Sequence, residues 1–166
     1  LSAIEEENEL IYVFTKANAD IGGAFINQVL QEFCEIHENC YLFDSLGSRK
    51  YLSMLAGCKV VIGNSSSGSY EAPAFRIPTI NIGNRQNGRV KAKSIVDCKP
   101  NKEEIVKAIK MVQSNSFTKK LKNMKIPFEG GKTAEKILEK IVQVVENKIN
   151  LQKGFYDIYF KTDIEK

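Results

Sequence analysis

Tryptophan is absent from this 166-residue chain, histidine occurs once, at His37, and only four of the 24 basic residues are arginine. Each scarcity excludes something. With one histidine, and with Cys34, Cys40, Cys58 and Cys98 widely spaced and forming no Cys-x-x-Cys, the chain lacks the ligand spacing of a zinc site. Cys34 and Cys58 lie among apolar residues and read as buried small side chains in a reducing, cytoplasmic compartment. A Ser-His-Asp triad would have to use His37, at the end of an amphipathic segment and far along the chain from the serine-rich loop. No apolar run is long enough to span a bilayer, and no secretory signal opens the chain. The first residue is Leu1 rather than Met, as expected of a processed chain or a fragment. Neither G-x-x-x-x-G-K-[ST] nor G-x-G-x-x-G occurs, so the common triphosphate and dinucleotide fingerprints are missing.

What is present is an ordinary globular composition, 43% hydrophobic and 27% charged, in a chain long enough for one domain with a core. The net charge of +4 comes from scattered lysines and reads as a solvated surface, with no nucleic-acid footprint and no membrane partner. The arginines are not scattered: Arg49, Arg76, Arg85 and Arg89 fall within forty-one residues. In so lysine-rich a chain, arginine suggests positions that need a planar, forked donor, as a phosphate does.

Apolar runs of strand length recur at 10–15, 40–43, 59–62 and 79–82, and Ser94-Ile95-Val96-Asp97 reads as a fifth strand. Continuous runs suit strands buried on both faces of a parallel sheet. Between them lie helical patterns at 24–37, 49–57 and 70–75. Three more follow: one capped by Asn101 with Glu104 completing a capping box, one over 117–124, and one over 133–148. Residues 1–9 are acidic, lack a core pattern and read as a linker from an upstream domain or the end of a helix that belongs to it. The tail after residue 150 carries Phe155, Tyr156, Ile158, Tyr159 and Phe160 and is expected to dock in part. The alternation predicts an α/β protein, a Rossmann-like parallel sheet with helices on both faces, spanning 10–150. Ligands of such sheets bind beyond the C-terminal ends of the strands.

The loops at those ends hold the chemistry. Gly63 to Arg89 reads GNSSSGSYEAPAFRIPTINIGNRQNGR. Ser65, Ser66 and Ser67 offer hydroxyls beside backbone donors, and Gly63 and Gly68 leave room for an anion. The same residues also suit a polar loop that merely caps a helix. Glu71, at a helix start, is either a dipole partner or a carboxylate for a vicinal diol such as ribose. Arg85 and Arg89 flank a turn and are either solvated cations or a clamp over the serine loop. Asn18 and Asp20 line the same strand ends or form turns, with Asp20 also available as a helix cap. No carboxylate pair stands out for acid–base work.

Several of these segments together resemble the UDP-N-acetylglucosamine 2-epimerase family, closest to hydrolysing members that open sialic-acid-type sugar pathways. They are Gly63-Asn64-Ser65-Ser66-Ser67-Gly68, Glu71-Ala72-Pro73, Pro78-Thr79-Ile80-Asn81-Ile82-Gly83 and Arg85-Gln86-x-Gly88-Arg89, joined by Asn18-x-Asp20-x-Gly22-Gly23 and Ser45-Leu46-Gly47. The resemblance covers about residues 10–145. It implies one half of a glycosyltransferase-B-like fold, the half that holds UDP. It implies that Ser65 and Ser66 contact the diphosphate, Glu71 the ribose hydroxyls and Arg85 the nucleotide, with Arg89 and Asn18 in the same set. It carries over no catalytic residue and no cofactor. The partners implied are a UDP-sugar, a missing N-terminal domain of the same protein, and further copies in a homo-oligomer when full length. The implied reaction gives N-acetylmannosamine and UDP by anti elimination and hydration; a diacetamido-trideoxy UDP-sugar is a second substrate. A glycosyltransferase half of the same fold and a non-enzymatic domain that kept the fold are the alternatives.

Overall fold

A computed structural model of the chain describes residues 1–18, 20–147 and 154. The chain divides into two units, residues 1–129 and 130–166.

The first unit holds five short strands: β1 (Tyr12–Thr15), β2 (Cys40–Phe43), β3 (Val61–Gly63), β4 (Thr79–Ile82) and β5 (Ile95–Cys98). It also holds six helices: α1 (Ser2–Glu6), α2 (Gly23–Ile36), α3 (Gly47–Gly57), α4 (Ser67–Tyr70), α5 (Lys102–Gln113) and α6 (Asn115–Lys122), with a 3-10 turn at Ala72–Phe75. All strand pairing is parallel. Hydrogen bonds divide it into two ladders, β1–β2 and β3–β4–β5. The ladders share a core instead of hydrogen bonds, because Leu10 and Ile62 pack against both apolar clusters.

β4 explains why the larger ladder is covered on both sides. Successive strand side chains point to opposite faces. Ile80 is fully buried against Ala108, Ile109 and Val112 of α5. Its neighbour Thr79 faces the other way, where its hydroxyl donates to the Gly68 carbonyl of α4 at 3.0 Å. Gly68 is required there: a Cβ would lie 2.6 Å from Thr79 Cγ2. The smaller ladder is covered on one face only. Tyr12 and Cys40 pack on Phe33 of α2, while Val13 and Tyr41 on the reverse are exposed. Four-residue strands span about 13 Å, against about 21 Å for the fourteen residues of α2. The ladder therefore cannot cover the whole stripe expected of that helix, and Phe25, Ile26 and Ile36 stay exposed.

Several local expectations are revised. Of the two readings of segment 1–9, linker or helix end, the helix is present as α1, and it packs on this unit: Ala3 is buried and Glu6 pairs with Lys102 of α5 at 3.1 Å. Asn101 caps α5 by accepting from the Glu104 N–H at 2.9 Å. The box is not closed, because the Asn101 N–H goes to the Lys99 carbonyl. Asp20 does not cap α2; left-handed Gly22 does, and the Asp20 carbonyl accepts from Gly23 N–H at 2.8 Å. Cys40 and Cys98 are the buried cysteines, with Cys34 and Cys58 half-buried.

The loop between β4 and β5 is tied at both ends. Asp97 on β5 accepts from Asn81 Nδ2 at 2.6 Å and from Lys91 Nζ at 2.7 and 2.8 Å. Burial by itself would push the Asp97 carboxyl up; the hydrogen bonds from Lys91 and Asn81 and the Lys91 charge outweigh it and hold the carboxyl below its ordinary value.

The second unit contributes α7 (Thr133–Glu146), whose residues Ile137, Leu138, Ile141, Val144 and Val145 follow the expected apolar stripe and are exposed. The aromatic tail residues 155–160 lie outside the described residues.

Ile109→Ala, which opens a cavity at a fully buried position, is expected to cost about 2–5 kcal/mol in chemical denaturation. Asp97→Asn tests the loop tie. Its side chain is 52% exposed, so solvent screening limits the loss to about 1 kcal/mol or less at neutral pH. A depressed carboxyl contributes above its unfolded value, about 3.9, and loses that contribution as pH falls through the lower folded value. Urea melts across pH should therefore show the wild-type advantage at pH 7 and its disappearance in acid.

Candidate functional site

The site is built on the segment that leaves β3. Gly63 takes φ +145°, a conformation that side chains avoid, and turns the chain out of the strand. Asn64, Ser65 and Ser66 follow, and α4 begins at Ser67. Inside this loop the Ser67 N–H donates to Ser65 Oγ at 3.3 Å, and the Gly68 N–H to the Ser65 carbonyl at 3.3 Å. Among the described residues the N–H groups of Ser65 and Ser66 hydrogen-bond to nothing. They and the serine hydroxyls are the donors that an anion could take. Ser65 is exposed and Ser66 half-buried.

The loop is held from two sides. From α3, the Tyr51 hydroxyl hydrogen-bonds to the Ser67 hydroxyl. From the loop after β4, Gln86 Nε2 donates to the Asn64 carbonyl at 2.6 Å, and Arg85 Nη1 donates to the same oxygen at 3.3 Å. Arg89 goes to the far end of the segment, where its guanidinium lies 5.5 Å from the centroid of the Tyr70 ring. At that distance the contact is a cation–π one. Tyr70 in turn rests on Phe128, centroids 4.8 Å apart. The two arginines thus bracket 64–70, one at each end.

Glu71 is exposed and lies between α4 and the 3-10 turn, ending the first and beginning the second. It is not at the start of a single helix, because α4 begins four residues earlier than Glu71. Pro73 is buried in the first turn of the 3-10 segment, where a missing N–H costs little. Asn18 is exposed. Among the described residues its side chain makes no hydrogen bond, and its carbonyl lies where a Cβ on Gly23 would come within 2.0 Å of it. The adjoining turn is pinned by Asn27, whose side chain bonds both the N–H and the carbonyl of Ala17 at 2.7 and 3.2 Å. Lys16 and Asp44 form an ion pair between the loops after β1 and β2, and Ser45 Oγ accepts from the Gly47 N–H at 3.2 Å.

The structure therefore brings Ser65, Ser66, Arg85 and Glu71 onto one stretch, with Arg89 beside it. Among the described residues the Asn18 side chain makes no hydrogen bond to that stretch. Arg76 serves elsewhere. Its Nη1 donates to the carbonyls of Leu121 and Met124 at 3.0 and 3.2 Å, at the end of α6. A single guanidinium nitrogen thus serves two main-chain oxygens. Two residues that hold the loop were not given that role from sequence. Tyr51 reads as part of an apolar helical stripe, and Gln86 enters only as a member of the Arg85-Gln86-x-Gly88-Arg89 motif. Burial pushes the thiols of Cys34, Cys40, Cys58 and Cys98 up, which makes them poor nucleophiles at neutral pH. Among the described residues no cluster of His, Cys, Asp and Glu could hold a metal ion.

Comparison with known proteins agrees with this architecture. A family model described as UDP-N-acetylglucosamine 2-epimerase matches residues 1–142. A Campylobacter jejuni protein named GDP/UDP-N,N'-diacetylbacillosamine 2-epimerase (hydrolyzing) is 43% identical over 147 residues, covering 88% of this chain and 38% of its own length. The polysialic acid biosynthesis protein P7 of Escherichia coli is 35% identical over 159 residues, covering 95% of this chain and 40% of its own. The chain spans about two fifths of the length of these curated relatives. Among solved structures, Methanocaldococcus jannaschii UDP-GlcNAc 2-epimerase in complex with UDP-GlcNAc and UDP superposes with a TM-score of 0.66 at 18% identity. It covers 84% of this chain and 37% of that one. That likeness bears out the α/β, Rossmann-like fold expected of one half of a glycosyltransferase-B-like protein. With the family model matching residues 1–142 and a relative 43% identical over 88% of the chain, this chain belongs to the UDP-N-acetylglucosamine 2-epimerase family.

Proposed function

We propose that residues 10–150 form the UDP-binding part of a hydrolysing UDP-N-acetylglucosamine 2-epimerase, active when joined to an upstream domain and assembled as a cytoplasmic homo-oligomer. The observation that carries this reading is the Asn64–Ser66 loop: unpartnered N–H groups and serine hydroxyls at a strand end, fixed by Arg85 and Gln86. In this reading the N–H and hydroxyl groups of Ser65 and Ser66 donate to the diphosphate. Arg85, exposed and within reach of that loop, adds a positive charge. Glu71 accepts from the two ribose hydroxyls, and Arg89 and Asn18 line the edges of the same cleft.

The reaction is the conversion of the UDP-sugar to free N-acetylmannosamine and UDP. The proton on sugar carbon 2 and the UDP on carbon 1 leave in an anti elimination, giving a 2-acetamidoglucal. Water then adds with inversion at carbon 2. Charge develops on the departing diphosphate, so preorganised donors at Ser65, Ser66 and Arg85 stabilise the transition state more than the bound substrate. No residue of this chain is assigned the proton transfers. The name of the Campylobacter relative favours a second substrate within the same chemistry, a diacetamido UDP-sugar.

Titration of the chain with UDP, followed by NMR, is expected to shift the signals of the 63–71 and 83–89 loops. Ser66→Ala and Glu71→Ala each remove hydrogen bonds to a charged or bidentate partner and should weaken binding about tenfold. An affinity left unchanged by both substitutions sinks the site. With the full-length protein, release of free N-acetylmannosamine without an acceptor is expected. Turnover only of the diacetamido sugar would change the substrate, and a strict need for an acceptor would point to a glycosyltransferase.

A further inference from the structure

The Asn64 carbonyl has two donors and one obvious need for them. Gln86 Nε2 is the nearer, at 2.6 Å, and Arg85 Nη1 the farther, at 3.3 Å. The two differ in setting as well. Gln86 is 2% exposed, whereas Arg85 is exposed. A neutral, buried, short hydrogen bond persists; a charged, exposed, long one exchanges readily with water or with a stronger acceptor.

Gln86 also carries a cost that its fold position does not explain. Among the described residues its Oε1 is buried without a hydrogen-bond partner. A buried amide that satisfies only one of its two ends is a poor choice for packing, where methionine of similar length would leave nothing unpaired. What the amide provides and methionine lacks is the donor to Asn64.

We propose that Gln86 is a positioning residue: its amide holds the Asn64 carbonyl so that the Arg85 guanidinium can leave that oxygen for a phosphate without unlatching the Ser65–Ser66 loop. Arg85 is then parked on the carbonyl in the free protein and released to the ligand. This deepens the nucleotide reading above and rests on it. Without Gln86, the carbonyl and the phosphate compete for one guanidinium.

The test separates the diphosphate from the nucleoside. Gln86→Met keeps the length, removes the donor and removes the unpaired Oε1, so the chain should fold, as circular dichroism and thermal melting will report. By NMR titration of the 166-residue chain, UDP affinity should fall about tenfold. Uridine, which has no phosphate to recruit Arg85, should bind as before within about twofold. Arg85→Ala should cost less in the Gln86→Met background than alone, because the two substitutions act on one coupled unit. If Gln86→Met does not fold, Gln86→Asn retains both amide groups but falls a methylene short of Asn64, and the same readouts apply. Unchanged UDP affinity overturns the proposal, and so does an equal loss for UDP and uridine, which marks a general loss of structure. Wild-type chain that binds no UDP overturns the nucleotide reading and this one together; wild-type binding with an indifferent Gln86 overturns this one alone.

Discussion

Burial of β4 on both faces is the constraint from which the first unit is organised. Ile80 packs against α5 and Thr79 against α4, and each neighbour, β3 and β5, is set by hydrogen bonds to that same strand. A strand enclosed in this way has no freedom of register, since a slip of one residue would exchange the isoleucine and threonine faces. The consequence reaches the site directly. The register aligns Gly63 with Asn81, so the exits of β3 and β4 lie side by side. The serine loop and the arginine loop leave from those two exits, and side chains of the second reach the Asn64 carbonyl of the first.

The loops are then secured by small, specific contacts rather than by apolar mass. Gly68 admits the close approach of Thr79. Asp97 gathers Asn81 and Lys91, and so ties the departure and the return of the arginine loop to adjacent strands. Tyr51 and Gln86 hold the serine loop from opposite directions. A loop held by hydrogen bonds to rigid elements keeps in place the donors that are unpaired among the described residues. That preorganisation is what makes donors effective toward a developing charge.

Much of this was legible in the residues. The runs at 40–43 and 79–82 are strands at those bounds, because short runs rich in apolar and β-branched residues between turn signals leave little choice. The Asn101 cap is local chemistry and was readable as such. The true start of the helix expected over 70–75 was not. Ser67 begins α4 because Ser65 and Ser66 supply the carbonyls for its first turn, and Glu71 thereby falls between two helical pieces. The exposure of Phe25 and Ile26 was not legible either, since an apolar stripe does not report how long a ladder lies beneath it.

The order of the chain by itself determined the alternation of strands and helices, the parallel pairing it implies, the serine loop at a strand end and the family to which the motifs belong. These follow from periodicity and turn chemistry, which act over a few residues. Only the tertiary structure decided what each arginine contacts. The motifs already set Arg85 and Arg89 apart as a clamp over the serine loop, but they did not give their partners. Arg76 closes the end of α6, Arg89 lies on Tyr70, and Arg85 bonds the Asn64 carbonyl beside the buried Gln86. The physical reason is that a long, flexible cation takes its role from whichever acceptor the packing of distant strands and helices brings within about 3 Å.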